Sequence, residues 1–468
     1  MKDLLKRPLC ELTRLLVGRE VSPVELMQAT LDRIAETHDQ LNAFVALRDA
    51  DALLDEARAA EARIQRGEAR LLEGIPLGVK DLEDAAGLVT SYASIPFKDN
   101  LATRDSIQVE RLRAAGAIVV GKTNAPEFGY TAITKNLLFG VTRNPWDLER
   151  TPGGSSGGSS AAIAGGLIPL ATASDGGGSV RIPASVTGCF GLKGSYGRIP
   201  NGPHALWVMD DTAVDGPLTR CVEDAALHLD AVVGPHPLDP NSLPHPGFSF
   251  REILAGLPAG LRFGFSPDLG YAVVQSDLLE VVTDAAFVFQ ELGHKVELLG
   301  DGPPEPGADW GMTGAFELLA RIGHLLPEHE QEFGRSFLRG IQAGASMTPE
   351  RWGKVKRRRE ELNRWCARAF ETHDLLLTPT VPYDPPPAEG PFLREVEGRE
   401  QPAANFGSFT MPFNMSWHPA ATVRAGRSRR GLPVGLQIVG PRHRDDLVLQ
   451  AAYAFEQSRP YQRDWPEF

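Results

Sequence analysis

The chain has 468 residues, 42% of them apolar and 23% charged, with a formal net charge of −12; that is ample for a large core and too acidic for a protein that grips nucleic acid with a basic face. Its four cysteines, Cys10, Cys189, Cys221 and Cys366, lie far apart and form no CxxC pair, which sets aside zinc and thioredoxin-like centres and fits buried, reduced thiols. No apolar run reaches the length of about 18 residues that a membrane helix needs, and Met1 to Cys10 lacks the apolar core of a signal peptide, so the expected location is the cytoplasm.

Length alone suggests two or three domains. Along the chain, Ser22-Pro23-Val24-Glu25 reads as a capping box with proline at the first helical position, opening a helix that ends near Asp39. A second helix, rich in Ala, Glu and Arg, is expected from about Asp49 to Arg66. Strands and helices then alternate. An amphipathic helix from about Ser106 to Ala115 precedes a short buried strand at Ala117–Val120. Leu167–Ala173 is a further strand candidate. Arg262–Phe265, a helix from Gln275 to Leu292, and Lys295–Leu299 form a strand–helix–strand unit. Leu375–Leu377, Ala421–Val423 and Val434–Val439 read as strands, and a helix from about Arg444 to Gln457 closes the chain. This alternation predicts an α/β fold: a central mixed, largely parallel twisted sheet covered by helices on both faces. Residues 301–356 are helical and less apolar, and read as a lid or an insertion. Pro382–Pro387 is expected to be an extended connector.

Three motifs involve glycine. Gly116-Ala-Ile-Val-Val-Gly121-Lys122-Thr123 matches the P-loop pattern literally. Its four intervening residues form the predicted strand itself and cannot curl around phosphates. Gly153-Gly154-Ser155-Ser156-Gly157 matches the nucleophile elbow of α/β-hydrolases. That elbow needs an apolar strand just upstream, whereas Asn144 to Pro152 reads as loop, and none of the 11 histidines has a telling context. The third reading takes in more residues. Ser174-Asp175-Gly176-Gly177-Gly178-Ser179 follows a strand, and the glycines Gly176, Gly177 and Gly178 let backbone N–H groups converge beside the Ser179 hydroxyl as an oxyanion hole. Gly74 to Asp81 places Lys80 at the end of an apolar strand, where burial favours the neutral amine that a general base requires. Serine with a lysine base is a recognised variant of the catalytic triad.

Together these segments resemble the amidase signature family, from the Ser22 helix to Gly431–Gln437. The spacings are similar to the family's: 75 residues separate Lys80 from Ser155, and 24 separate Ser155 from Ser179. The resemblance implies one amidase domain over residues 1–468. It implies Ser179 as the nucleophile that carries the acyl group, Ser155 as a proton relay after a cis peptide bond, and Lys80 as the base. It also places Gly129, Tyr130 and Thr131 beside the acyl pocket. Trp207 and Met209, in a loop after the signature, and Trp417, near the C-terminus, are aromatic or apolar candidates for its lining. Asp175 and Arg181 are expected to make structural contacts around the nucleophile loop. No metal-ligand spacing and no cofactor motif is present. Many members read Asp-Thr-Gly-Gly-Ser where this chain has Asp175-Gly176-Gly177-Gly178-Ser179.

The implied activity is hydrolysis of hydrophobic or aryl amides, with related esters and carbamates, on a small-molecule substrate without nucleic acid or membrane; a homodimer stays open. The first alternative is the A component of a glutamine-dependent tRNA amidotransferase. That component usually continues Tyr-Gly-Arg-Val-Ser-Arg, where this chain reads Tyr196-Gly197-Arg198-Ile199-Pro200-Asn201 and lacks the second arginine. The others are an esterase using Ser155 in a nucleophile elbow, and a non-catalytic binding protein, which three intact catalytic positions disfavour.

Overall fold

A computed structural model describes residues 2–203, 209, 211–459 and 464–468. Eleven strands form one sheet: β1 (Phe44–Leu47), β2 (Pro76–Lys80), β3 (Ile118–Thr123), β4 (Leu170–Ala171), β5 (Phe190–Lys193), β6 (Leu218–Thr219), β7 (Arg262–Phe265), β8 (Lys295–Leu298), β9 (Leu375–Pro379), β10 (Ala420–Arg427) and β11 (Pro433–Val439). Their spatial order is β1-β3-β2-β4-β6-β5-β10-β11-β9-β7-β8. Every residue of β2, β5, β9 and β11 is buried. Side chains alternate between the two sides of a strand, so both faces of the sheet are covered there.

The sheet is mixed, as expected, but not largely parallel: six of its ten pairings are antiparallel. Parallel neighbours need a crossover element, and they occur only towards the flanks, in β3-β2-β4 and β9-β7-β8. The helix Ile107–Ala114 makes the β2-to-β3 crossover and the helix Ser276–Glu291 the β7-to-β8 crossover. The middle of the sheet is antiparallel, with β10 and β11 joined by a short turn through Ser428–Leu432. Element order in a sequence reports what alternates, not which way each strand runs.

Local signals held. Ser22 makes both halves of the capping box for the helix Pro23–Leu41, and Asp49 caps Ala50–Gln65. Six of the eight residues of the literal P-loop, Ile118–Thr123, are β3 itself, where Gly121 pairs with Leu47 and a Cβ would press on the Ala46 carbonyl. The 301–356 segment is helical, and its last helix continues beyond it, as Pro349–Thr372. Leu318, Ile322, Phe333, Phe337 and Ile341 from the helices Gly307–Ile322 and Arg335–Gln342 and their connection form a separate apolar cluster with Tyr92 and Phe128. All four cysteines are free, with Cys10, Cys189 and Cys366 buried.

Candidate active site

Lys80 is the last residue of β2 and is 1% exposed. Its Nζ lies 2.8 Å from Ser155 Oγ and 2.9 Å from Ser174 Oγ. Burial lowers its pKa to about 7, although the carboxylates of Asp175, Asp215 and Glu83 pull the other way. The lysine therefore reaches its neutral form near neutral pH, which an exposed lysine with a reference pKa of about 10.4 does not.

Ser155 is held in a dense loop. The Gly154–Ser155 peptide is cis. A Cβ on Gly154 would lie 2.9 Å from the Thr131 carbonyl oxygen, and one on Gly129 would lie 3.1 Å from Ser155 Oγ. Glycine at both positions is thus a matter of space. Ser156 stands at the N-terminus of the buried helix Gly157–Ala164, and its N–H donates to the Ser179 carbonyl at 3.3 Å. That bond ties the Ser155 loop to the Ser179 loop.

The Ser179 loop hangs on Asp175. Its carboxylate accepts from Gly178 N at 2.7 Å and Val180 N at 3.1 Å, and pairs with Arg181 at 2.9 Å, both side chains fully buried. Arg181 also donates to Gln437 Oε1 at 2.7 Å and Asn414 Oδ1 at 2.6 Å. Burial alone would raise the Asp175 carboxyl, but the Arg181 guanidinium and hydrogen bonds from Arg181 and Asn414 hold it below the usual carboxylate range. This is the structural pairing expected of the two residues. Breaking a buried pair strands one charge. Arg181→Met should therefore lower stability by about 3–5 kcal/mol, read as a fall in the denaturant midpoint; an unchanged midpoint would mean that the pair does not hold the loop.

Of the three glycines expected to form an oxyanion hole, Gly178 has its N–H on the Asp175 carboxylate. Gly176 and Gly177 line the pocket together with Ser155 and Ser179. The carbonyls of Gly176 and Gly177 are fixed from behind by Trp310 Nε1 at 2.8 Å and Thr410 Oγ1 at 2.6 Å.

Gly129 and Tyr130 line this pocket, as do Leu82, Tyr92, Phe128, Met209 and Trp310. Thr131 does not; its carbonyl backs Gly154 instead. Trp207 lies outside the described residues. Trp417 sits elsewhere, stacked on Tyr196 at 4.7 Å. No histidine lines the pocket among the described residues, and Ser155 follows loop rather than strand, so neither requirement of a nucleophile elbow is met. A roomier groove between Lys6, Cys189 and Trp465 includes none of Lys80, Ser155 and Ser179.

Sequence reasoning missed Ser174, Asp215 and Trp310. Ser174 had a usable signal: it precedes Asp175 in a strand, so if Asp175 points into the loop, Ser174 points to the other side, where Lys80 sits. Trp310 had none, because more than a hundred residues separate it from the glycine loop.

Residues 25–449 match the family model described as Amidase. The chain is 35% identical to an acylamidase of Rhodococcus erythropolis over 96% of its length and 95% of the relative's. It is also 35% identical to the A component of the glutamyl-tRNA(Gln) amidotransferase of Moorella thermoacetica, over 98% of the chain and 97% of that relative. Among solved structures it is similar to a bacterial aryl acylamidase of the amidase signature family, with a TM-score of 0.91 and 31% identity over 98% of each chain.

Proposed function

This chain belongs to the amidase signature family, and from that premise we propose that it is a free-standing hydrolase of hydrophobic or aryl amides, acting through an acyl-enzyme on Ser179. One observation carries the reading: a buried lysine whose amine contacts Ser155 at 2.8 Å, at the edge of the pocket that Ser155 shares with Ser179. A serine hydroxyl is a weak nucleophile until an adjacent base takes its proton. Neutral Lys80 takes the Ser155 proton, and Ser155 takes that of Ser179 as Ser179 Oγ attacks the carbonyl carbon. The developing oxyanion faces the Gly176 and Gly177 amides, a contribution on the order of 10²–10³ in rate per donor. The C–N bond breaks as the amine collects a proton through Ser155. Water then repeats the sequence on the acyl-enzyme. Esters and carbamates fit the same steps, since only the leaving group changes.

Leu82, Tyr92, Phe128, Tyr130, Met209 and Trp310 support an apolar or aromatic substrate, each Å² of apolar surface buried contributing roughly 25 cal/mol. No arginine or lysine is among the described residues that line the pocket. Free glutamine would bring a carboxylate with no cation to meet it, and an unpaired buried charge is costly. The second reading, the A component of an amidotransferase, is favoured by the 35% identity to the Moorella thermoacetica protein. The two separate in one comparison with the protein expressed alone: kcat/KM should be higher on an acyl anilide than on glutamine. Higher efficiency on glutamine, or activity only when partner chains are supplied, would replace the first reading with the second.

The pH profile follows from Lys80. Its ammonium form cannot accept a proton, and burial sets the change of form at about 7. kcat/KM should therefore rise with pH through about 7 and level off above it. A profile that peaks in the carboxylate range would point to a different base.

A further inference from the structure

We infer that Asp215 selects amide substrates that carry a second N–H donor, an ammonium or another amide, close to the scissile bond. The inference rests on the amidase reading above and concerns the same pocket. Asp215 stands directly across from Ser174 in the two-residue ladder Ser174–Asp175 against Val214–Asp215, so it is the cross-strand partner of a serine that holds Lys80. It lines the pocket with Ser155 and Ser179 and is 3% exposed. Its Oδ2 is buried with no hydrogen-bond partner among the described residues.

Four other polar side chains of the pocket already have partners. The Ser155 and Ser174 hydroxyls are on Lys80. Glu83 accepts from Ser106 Oγ at 2.6 Å and Gln108 Nε2 at 3.0 Å. The Trp310 N–H is on the Gly176 carbonyl. In its ionised form Asp215 has lone pairs only, and buried acceptors in folded proteins are nearly always matched. The group that matches Asp215 must bring hydrogen on nitrogen or oxygen. Burial and the neighbouring carboxylates of Glu83 and Asp239 push the Asp215 carboxyl well above its ordinary range, against the pull of Lys80. An arriving ammonium supplies the missing hydrogen bond and favours the ionised form of the carboxyl. The apolar lining of the same pocket, which includes Leu82, Phe128, Met209 and Trp310, suits the hydrocarbon body of the same molecule.

Two matched substrate pairs test this, one with the donor on the acyl side (phenylalaninamide against hydrocinnamamide) and one with it on the amine side (the N-aminopropyl against the N-butyl amide of hydrocinnamic acid). Wild type should favour the donor-bearing member of at least one pair by about tenfold or more in kcat/KM, the usual value of a hydrogen bond to a charged group. Asp215→Asn should collapse that ratio towards one. Taking a ratio cancels any effect of the substitution on Lys80. A preference absent from both pairs, or one that survives Asp215→Asn, overturns the inference. If none of the four amides turns over in wild type, the amidase reading itself fails. Should the variant not fold, inhibition of wild type decides: benzylamine should inhibit about tenfold more tightly than benzyl alcohol, and equal inhibition overturns the inference.

Discussion

Ser179→Ala should reduce amide hydrolysis by a factor on the order of 10⁶, to the residue of catalysis that binding and backbone donors supply. Ser179 follows the two glycines that line the pocket, and it is half-buried where Ser155 is buried. In the proposed mechanism it alone carries the acyl group, so nothing else can substitute for its oxygen. The loop that presents it is anchored by Asp175, Arg181, Asn414 and Gln437, none of which touches the Ser179 hydroxyl. The fold should therefore survive, with a stability change within about 0.5 kcal/mol. Fluorophosphonate treatment followed by peptide mass analysis should place the adduct on Ser179 in wild type and nowhere in the variant. An adduct on Ser155 would instead make Ser155 the nucleophile and return the chain to the elbow reading.

The parts of this site legible in the sequence were those written in contiguous residues. Lys80 at a strand end and the run from Ser174 to Ser179 each sit in a short segment whose local conformation follows from its own residue types. The capping box at Ser22 and the strand inside the false P-loop were legible for the same reason. Strand direction was not, because β10 and β11 reverse through a short turn whereas β7 and β8 cross over through a 16-residue helix, and both patterns leave the same apolar runs. The aromatic contacts made by the pocket-lining Phe128 and Tyr130 were not legible either. Phe128 stacks on Phe337 at 5.1 Å, and Tyr130 meets the same ring edge-on at 5.5 Å. Such contacts depend on where the chain returns in space, and an aromatic residue in a polar helical segment carries no mark of which rings it will meet. The unmatched carboxylate of Asp215 belongs to the same class: a lone aspartate in sequence becomes informative only when its surroundings show that nothing answers it.

Lys80 and Ser155 should fail together. Lys80→Ala and Ser155→Ala are each expected to lower kcat by about 10³-fold or more, and the double variant should be no worse than the more impaired single, because groups that act as one relay are strongly non-additive. If the two losses multiplied instead, the two side chains would be acting independently and the relay would be wrong. Lys80→Arg separates the base from a mere hydrogen-bond donor. Arginine keeps the positive charge and the N–H groups that face Ser155 and Ser174, yet with a pKa above about 12 it cannot give up its proton in a protein. If Lys80 only positions Ser155, part of the activity should persist in Lys80→Arg at every pH. If Lys80 must be neutral to accept the proton, Lys80→Arg should be as inactive as Lys80→Ala across the whole profile, and the rise through about pH 7 set by burial of the wild-type amine should vanish with it. Retention of that rise in either variant would assign it to another group and remove Lys80 from the role of base.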